Sequence, residues 1–179
     1  MKRRIFTMQA MMMATAIAVF SASGGGAKTP AGDDSATEKS RSVSSSTFDE
    51  AADNALRAMT ERAEELRIHG VAVVAFFEGD SIRSWSSKMA VVGTMKNTPS
   101  KDSKGDNLLA IAYAKAAEMA ATLKASGKAG RPPMTGEFGW EGGLIVRGRT
   151  GFWIAAFSGG PSEDDIKVSR AGLDTLAGK

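Results

Sequence analysis

The stretch Val71–Met89, VAVVAFFEGDSIRSWSSKM, decides how the rest of the chain must be arranged. Its first seven residues are apolar without interruption and rich in branched and aromatic side chains. A strand with no polar face must be covered on both sides, so it belongs at the centre of a sheet between two layers. Glu78-Gly79-Asp80 is turn-forming, and Ile82–Met89 is polar and mixed, as suits a paired strand nearer an edge. The pair reads as an antiparallel hairpin.

On its N-terminal side, Phe48, Ala52, Ala55, Leu56, Met59, Ala63 and Leu66 recur at spacings of three and four, which predicts an amphipathic helix from Ser46 to Arg67. Thr47 with Glu50 fits a capping box, and Gly70 is the expected stop. On its C-terminal side, 92–106 is a long turn-rich loop. A second helix is predicted from Asn107 to Ala125, with Asp106 as cap and an apolar stripe of Leu109, Ala112, Ala116, Met119 and Leu123. A second loop covers 128–140. Leu144–Val146 and Phe152–Phe157 then form another hairpin around Arg147–Gly151. A last helix begins at Pro161 or Ser162 and runs to Ala177, with Glu163, Asp164 and Asp165 in its first turn. The order is α-β-β-α-β-β-α. Two hairpins with helices packed on them make an α+β domain rather than a doubly wound parallel sheet.

The N-terminus has a different character. Lys2, Arg3 and Arg4 precede the apolar run Ala10–Phe20, and Ser21 and Ser23 supply small residues for cleavage after Ser23. This is the pattern of a signal peptide over 1–23, too short for an ordinary membrane-spanning helix. Residues 24–45 are Gly, Ser, Ala and charge, and read as a flexible linker before the domain at 46–179. The mature protein is therefore expected to be periplasmic or extracellular, with no membrane association after cleavage. The chain of 179 residues carries a formal charge of +3, which equals those three early cations. The remainder sums to zero, which argues against a nucleic-acid partner. The charge is nevertheless divided: eight carboxylates face three cations from Ser46 to Ile82, and eleven cations face five carboxylates from Arg83 to Arg149.

The absence of cysteine removes thiolate chemistry, disulfides and thiolate metal sites. The single histidine, His69, removes every multi-histidine motif. His69 is either an axial haem ligand or a cation placed against a helix C-terminus. Tyr113 and Met119 can ligate haem iron in principle, and both also suit packing. Glu137 and Glu141, four apart in a loop, are candidates for acid–base work. Ser158-Gly159-Gly160 before an acidic helix is either an anion cradle or a tight strand-to-helix turn, and the three acids favour the turn. Gly142-Gly143 reads as backbone geometry. Trp140 and Trp153 suit a pocket wall, an oligomer contact or the core. The cations from Lys96 to Arg149, Arg147 among them, either converge on carboxylates or form a solvated surface.

The run Trp153–Leu176, WIAAFSGGPSEDDIKVSRAGLDTL, resembles the signature of the GlcG/HbpS-like family, also met as the C-terminal module of PduO-type proteins. Ser158, Gly159, Gly160, Glu163, Asp165, Ala171, Gly172 and Leu173 match in order. Upstream, Gly142-Gly143, Lys115-Ala116 and Gly70–Val74 resemble further family segments. The resemblance covers roughly 47–177. It departs where Ala75-Phe76-Phe77 replaces a common Asp and where Leu144 replaces a common Pro. It implies a profilin-like layered domain that assembles as a homo-oligomer and binds a small molecule, haem among the possibilities, without a secure catalytic activity. His69, Tyr113, Lys115, Glu137 and Arg147 are the ligand-binding candidates, with backbone turns at Gly142, Gly143, Ser158, Gly159 and Gly160. The rival expectations are an enzyme acting on a small carboxylate or aldehyde, with Glu137 or Glu141 as base, and a structural oligomer without ligand.

Overall fold

The structure is a computed structural model that describes residues 34–177. The expected signal peptide lies outside the described residues, as does the linker before Asp34. Among these residues three helices and four strands follow one another as α1 (Asp34–Glu65), β1 (Gly70–Glu78), β2 (Ser86–Val92), α2 (Leu108–Thr122), β3 (Gly143–Arg147), β4 (Gly151–Ser158) and α3 (Ser162–Leu176). The strands form one antiparallel sheet in the order β2-β1-β4-β3. The fold is α+β, in the order expected.

The uninterrupted apolar run is the sheet's central strand, and its alternate residues serve two separate cores. Val71, Val73, Ala75 and Phe77 join Phe152, Ile154 and Ala156 of β4 beneath Leu108, Ala112, Ala116 and Met119 of α2. Ala72 and Val74 join Ala155 and Phe157 on the other face, against Ala52, Leu56 and Met59 of α1 and Val168 and Leu173 of α3. Helices thus cover both faces, α2 on one and α1 with α3 on the other. No helix among the described residues is long and apolar enough to cross a membrane.

Boundaries differ from expectation for identifiable reasons. α1 begins at Asp34 rather than Ser46, because no glycine or proline interrupts the chain between Asp34 and Ile68. Thr47 and Glu50 therefore stand inside the helix and not at its cap. α1 stops before Gly70 is reached. Arg67 takes a left-handed φ of 56° and Ile68 N–H donates to Ala63 O at 3.0 Å, a Schellman closure built without glycine. α2 is capped by Asn107, whose side chain accepts from Ala110 N–H, and not by Asp106; it ends at Thr122 where Leu123 turns left-handed.

The displacement that matters most for the site is at β2. It runs from Ser86 to Val92 instead of Ile82 to Met89, since the branched pair Val91-Val92 extends the ladder down to Gly70. At the other end, Phe76 pairs with Ser86, while Phe77 and Glu78 pair only with β4. The tight turn expected at Glu78–Asp80 is instead an open connection, 79–85. Ser81, Arg83, Ser84 and Trp85 are thereby released from the sheet.

Candidate functional site

Two sites emerge, and they differ in kind. The first is a buried polar hub where α2, α3 and the strand ends meet. Lys115 on α2 and Asp165 on α3 are 3% and 2% exposed. The Lys115 ammonium donates to Asp165 Oδ2 and to Phe157 O, both at 2.8 Å. Asp165 Oδ1 accepts from Gly160 N–H at 2.9 Å. Burial pushes the Asp165 carboxyl above its ordinary value, with the Lys115 ammonium and the Gly159 and Gly160 amides pulling the other way. Asp165 therefore does more than meet the helix dipole. Gly142 is required here: with φ at 132°, a Cβ would run into the Lys115 ammonium. Its carbonyl accepts from Ser169 Oγ at 2.6 Å, and Gly143 N–H donates to Ser126 Oγ at 2.8 Å. Glu118, buried on α2, accepts from Gly127 N–H at 2.9 Å. A pocket of about 160 Å³ opens over this hub between Trp140, Glu141, Asp106 and Gly159.

The hub thus gathers Lys115, Gly142, Gly143, Ser158, Gly159 and Gly160 from three separate segments. No buried side-chain polar atom among the described residues lacks a partner. Asp165, Ser126, Ser169 and Glu118 were not singled out for this role by the sequence; a buried lysine needs a carboxylate, and only the fold says which one answers.

The remaining candidates are dispersed. Glu137 takes a bidentate grip from Arg131 at 2.7 and 2.8 Å and accepts Met134 N–H at 2.8 Å. The Arg131 guanidinium, and then the Met134 amide, push its carboxyl down to about 2. Glu141 is ion-paired with Lys128. His69 is exposed, with its imidazole against Gly93. Met119 is fully buried beneath Gly143. Among the described residues no three of His, Asp and Glu are placed to hold a metal ion. Within the basic middle of the chain, Lys88, Lys128, Arg131 and Arg147 are each taken by a nearby carboxylate.

The second site is a cleft of about 890 Å³ at the end of the sheet. Phe76–Glu78 at the end of β1, the connection 79–85, Arg149-Thr150 before β4, and Phe48 on α1 enclose it. It exists because β2 starts late. Trp153 stacks parallel to Phe48 at 5.9 Å and leans on Phe76 at 4.6 Å. Trp85 leans on Tyr113 at 6.3 Å, and the Tyr113 hydroxyl meets Ser87 Oγ at 3.4 Å. Arg147 lies 5.2 Å over the Phe152 ring and pairs with Asp80 of the cleft wall. Tyr113 and Arg147 therefore stand behind the walls and hold them. Arg83 is absent from the expected site residues, because the alternation Arg83-Ser84-Trp85-Ser86 reads as part of a strand, whereas Arg149 is among the cations expected either to converge on carboxylates or to form a solvated surface.

The volume falls within the range of about 300–1,000 Å³ typical of small-molecule sites, whereas the hub pocket falls below it. The cleft's walls meet only part of what haem requires. They are aromatic and carry cations for carboxylates, but no His, Met or Tyr lines them, so His69, Tyr113 and Met119 do not fit as axial ligands at this place. Comparison of the chain with protein-family models, curated proteins and solved structures gives no match.

Proposed function

We propose that this is an exported ligand-binding domain that works without a chemical step, as a homo-oligomer, and that its ligand sits in the cleft between Trp85, Trp153, Arg83 and Arg149. The cleft itself carries this reading: it is of ligand size, open to solvent, aromatic on its walls and polar at its rim. The GlcG/HbpS-like resemblance supports the same class of function and keeps haem as the first compound to test.

The enzymatic alternative finds less support. A general base is most effective with a pKa near the working pH, and Glu137 at about 2 is far below it. Glu141 is held in an ion pair with Lys128.

The test is a titration of the purified protein with hemin and with a panel of small flat metabolites, following tryptophan fluorescence and the Soret band. Binding is expected to quench the tryptophans. No response from any compound at millimolar concentration overturns the ligand-binding reading and leaves a structural oligomer. A shifted Soret band that disappears in His69→Ala would move the haem site away from the cleft. A monomeric mass by light scattering overturns the assembly.

A further inference from the structure

We infer that the cleft selects organic anions with a flat ring, held by the guanidinium groups of Arg83 and Arg149; this rests on the reading of the cleft as a ligand site. The first observation is charge left unspent. At this end of the sheet Arg147 is engaged by Asp80. Arg83 and Arg149 line the same cleft and have neither a hydrogen-bond nor an ion-pair partner among the described residues. Glu78 and Asp80 are the acids of the lining, and Asp80 is neutralised from outside by Arg147. The local balance is therefore positive.

The second observation is shape and surface. Phe48 and Trp153 approach from the α1 side of the sheet, and Trp85 from the α2 side. A flat ring entering between them gains aromatic contact on both sides. Two guanidinium groups suit a carboxylate or a phosphate monoester, which they can grip in a bidentate manner. The serine and threonine hydroxyls at the rim add hydrogen bonds without discriminating charge.

The experiment uses the full chain and three matched probes: 2-naphthoate, naphthalene-2-methanol and 2-naphthylmethylammonium. Indole N–H signals in nitrogen-15 NMR spectra report the position, since Trp85, Trp153 and Trp140 are the three tryptophans of the chain. The expected result is movement of Trp85 and Trp153, with 2-naphthoate binding about tenfold more tightly than the neutral probe, the scale of one charge-assisted hydrogen bond. In the R83Q/R149Q variant that advantage disappears, and 2-naphthoate binds no more tightly than the neutral probe. Equal affinity for all three probes overturns the anion selectivity and leaves the cleft a ligand site. Shifts confined to Trp140, or no shift with any probe, overturn both.

Discussion

The hub around Lys115 and the cleft around Trp153 both collect polar side chains, yet they treat them in opposite ways. In the hub, ammonium, carboxylate, hydroxyls and amides answer one another and are closed off from water. In the cleft, two arginines stand beside aromatic walls with their hydrogen-bond capacity unused. Burial with full satisfaction is what a structural joint requires, because a lost partner there is expensive. Open charge beside an apolar wall is what a ligand can exploit. Clustered polar residues are thus informative about binding only after their internal partners have been counted.

The comparison breaks most sharply at Asp165. Asp165→Ala leaves the Lys115 ammonium buried with only Phe157 O and strands the Gly160 amide. The expected loss is about 3 kcal/mol, the lower end for a broken buried pair, since the adjacent pocket can admit water. Urea unfolding measures it. The double change Lys115→Met with Asp165→Leu should recover most of the loss, because the pair then disappears with both of its desolvation costs. A loss as large in the double variant as in the single one would show that the pair is not the cause. Gly142→Ala should cost about 1–3 kcal/mol, from a left-handed backbone and a methyl group aimed at the ammonium. An unchanged melting temperature would show that the strand end yields without cost.

Much of this contrast was readable from the residues, and the unreadable part has one physical origin. Val71–Phe77 declared itself a central strand because its composition leaves no face for water. The helix stripes were equally plain, since three- and four-residue spacing is local information. Lys115 and the glycine pairs were noticed as residues, but their convergence depends on contacts across 42 and 50 positions in sequence. The cleft was missed through register. Ile82–Trp85 has strand-like composition, and only the pairing of Gly70 with Val92 shows that these residues fall beyond the ladder. A shift of that kind turns edge-strand residues into cavity walls. The helix end was legible to within two residues, but the stop was assigned to Gly70, because glycine is the usual left-handed cap and this chain uses Arg67.

A smaller effect separates the hub from the loop 128–141 by pH. Glu137 is depressed from 4.5 to about 2, so its contribution to stability is present above 4.5 and is lost as pH falls towards 2. Asp165 is raised, so its contribution runs the other way: it is fullest below the ordinary carboxylate value and declines as pH rises through the raised one. Glu137→Gln should therefore flatten the acid limb of a stability–pH curve between 4.5 and 2. If the variant's curve is parallel to that of the parent protein there, the Arg131 grip is not maintained in solution.

The smallest expected effect is the most diagnostic. Arg83→Gln and Arg149→Gln remove exposed groups that contact no partner among the described residues, so each should change unfolding free energy by no more than about 0.5 kcal/mol. Their joint removal should nevertheless abolish the preference for an anionic probe. Hub variants should show the reverse, a large loss of stability with probe preference intact in whatever fraction remains folded. If R83Q/R149Q lowers the urea midpoint as much as Asp165→Ala does, the arginines are structural groups. The contrast between a closed joint and an open site would then fail at the cleft, because their charge would already be in use within the fold.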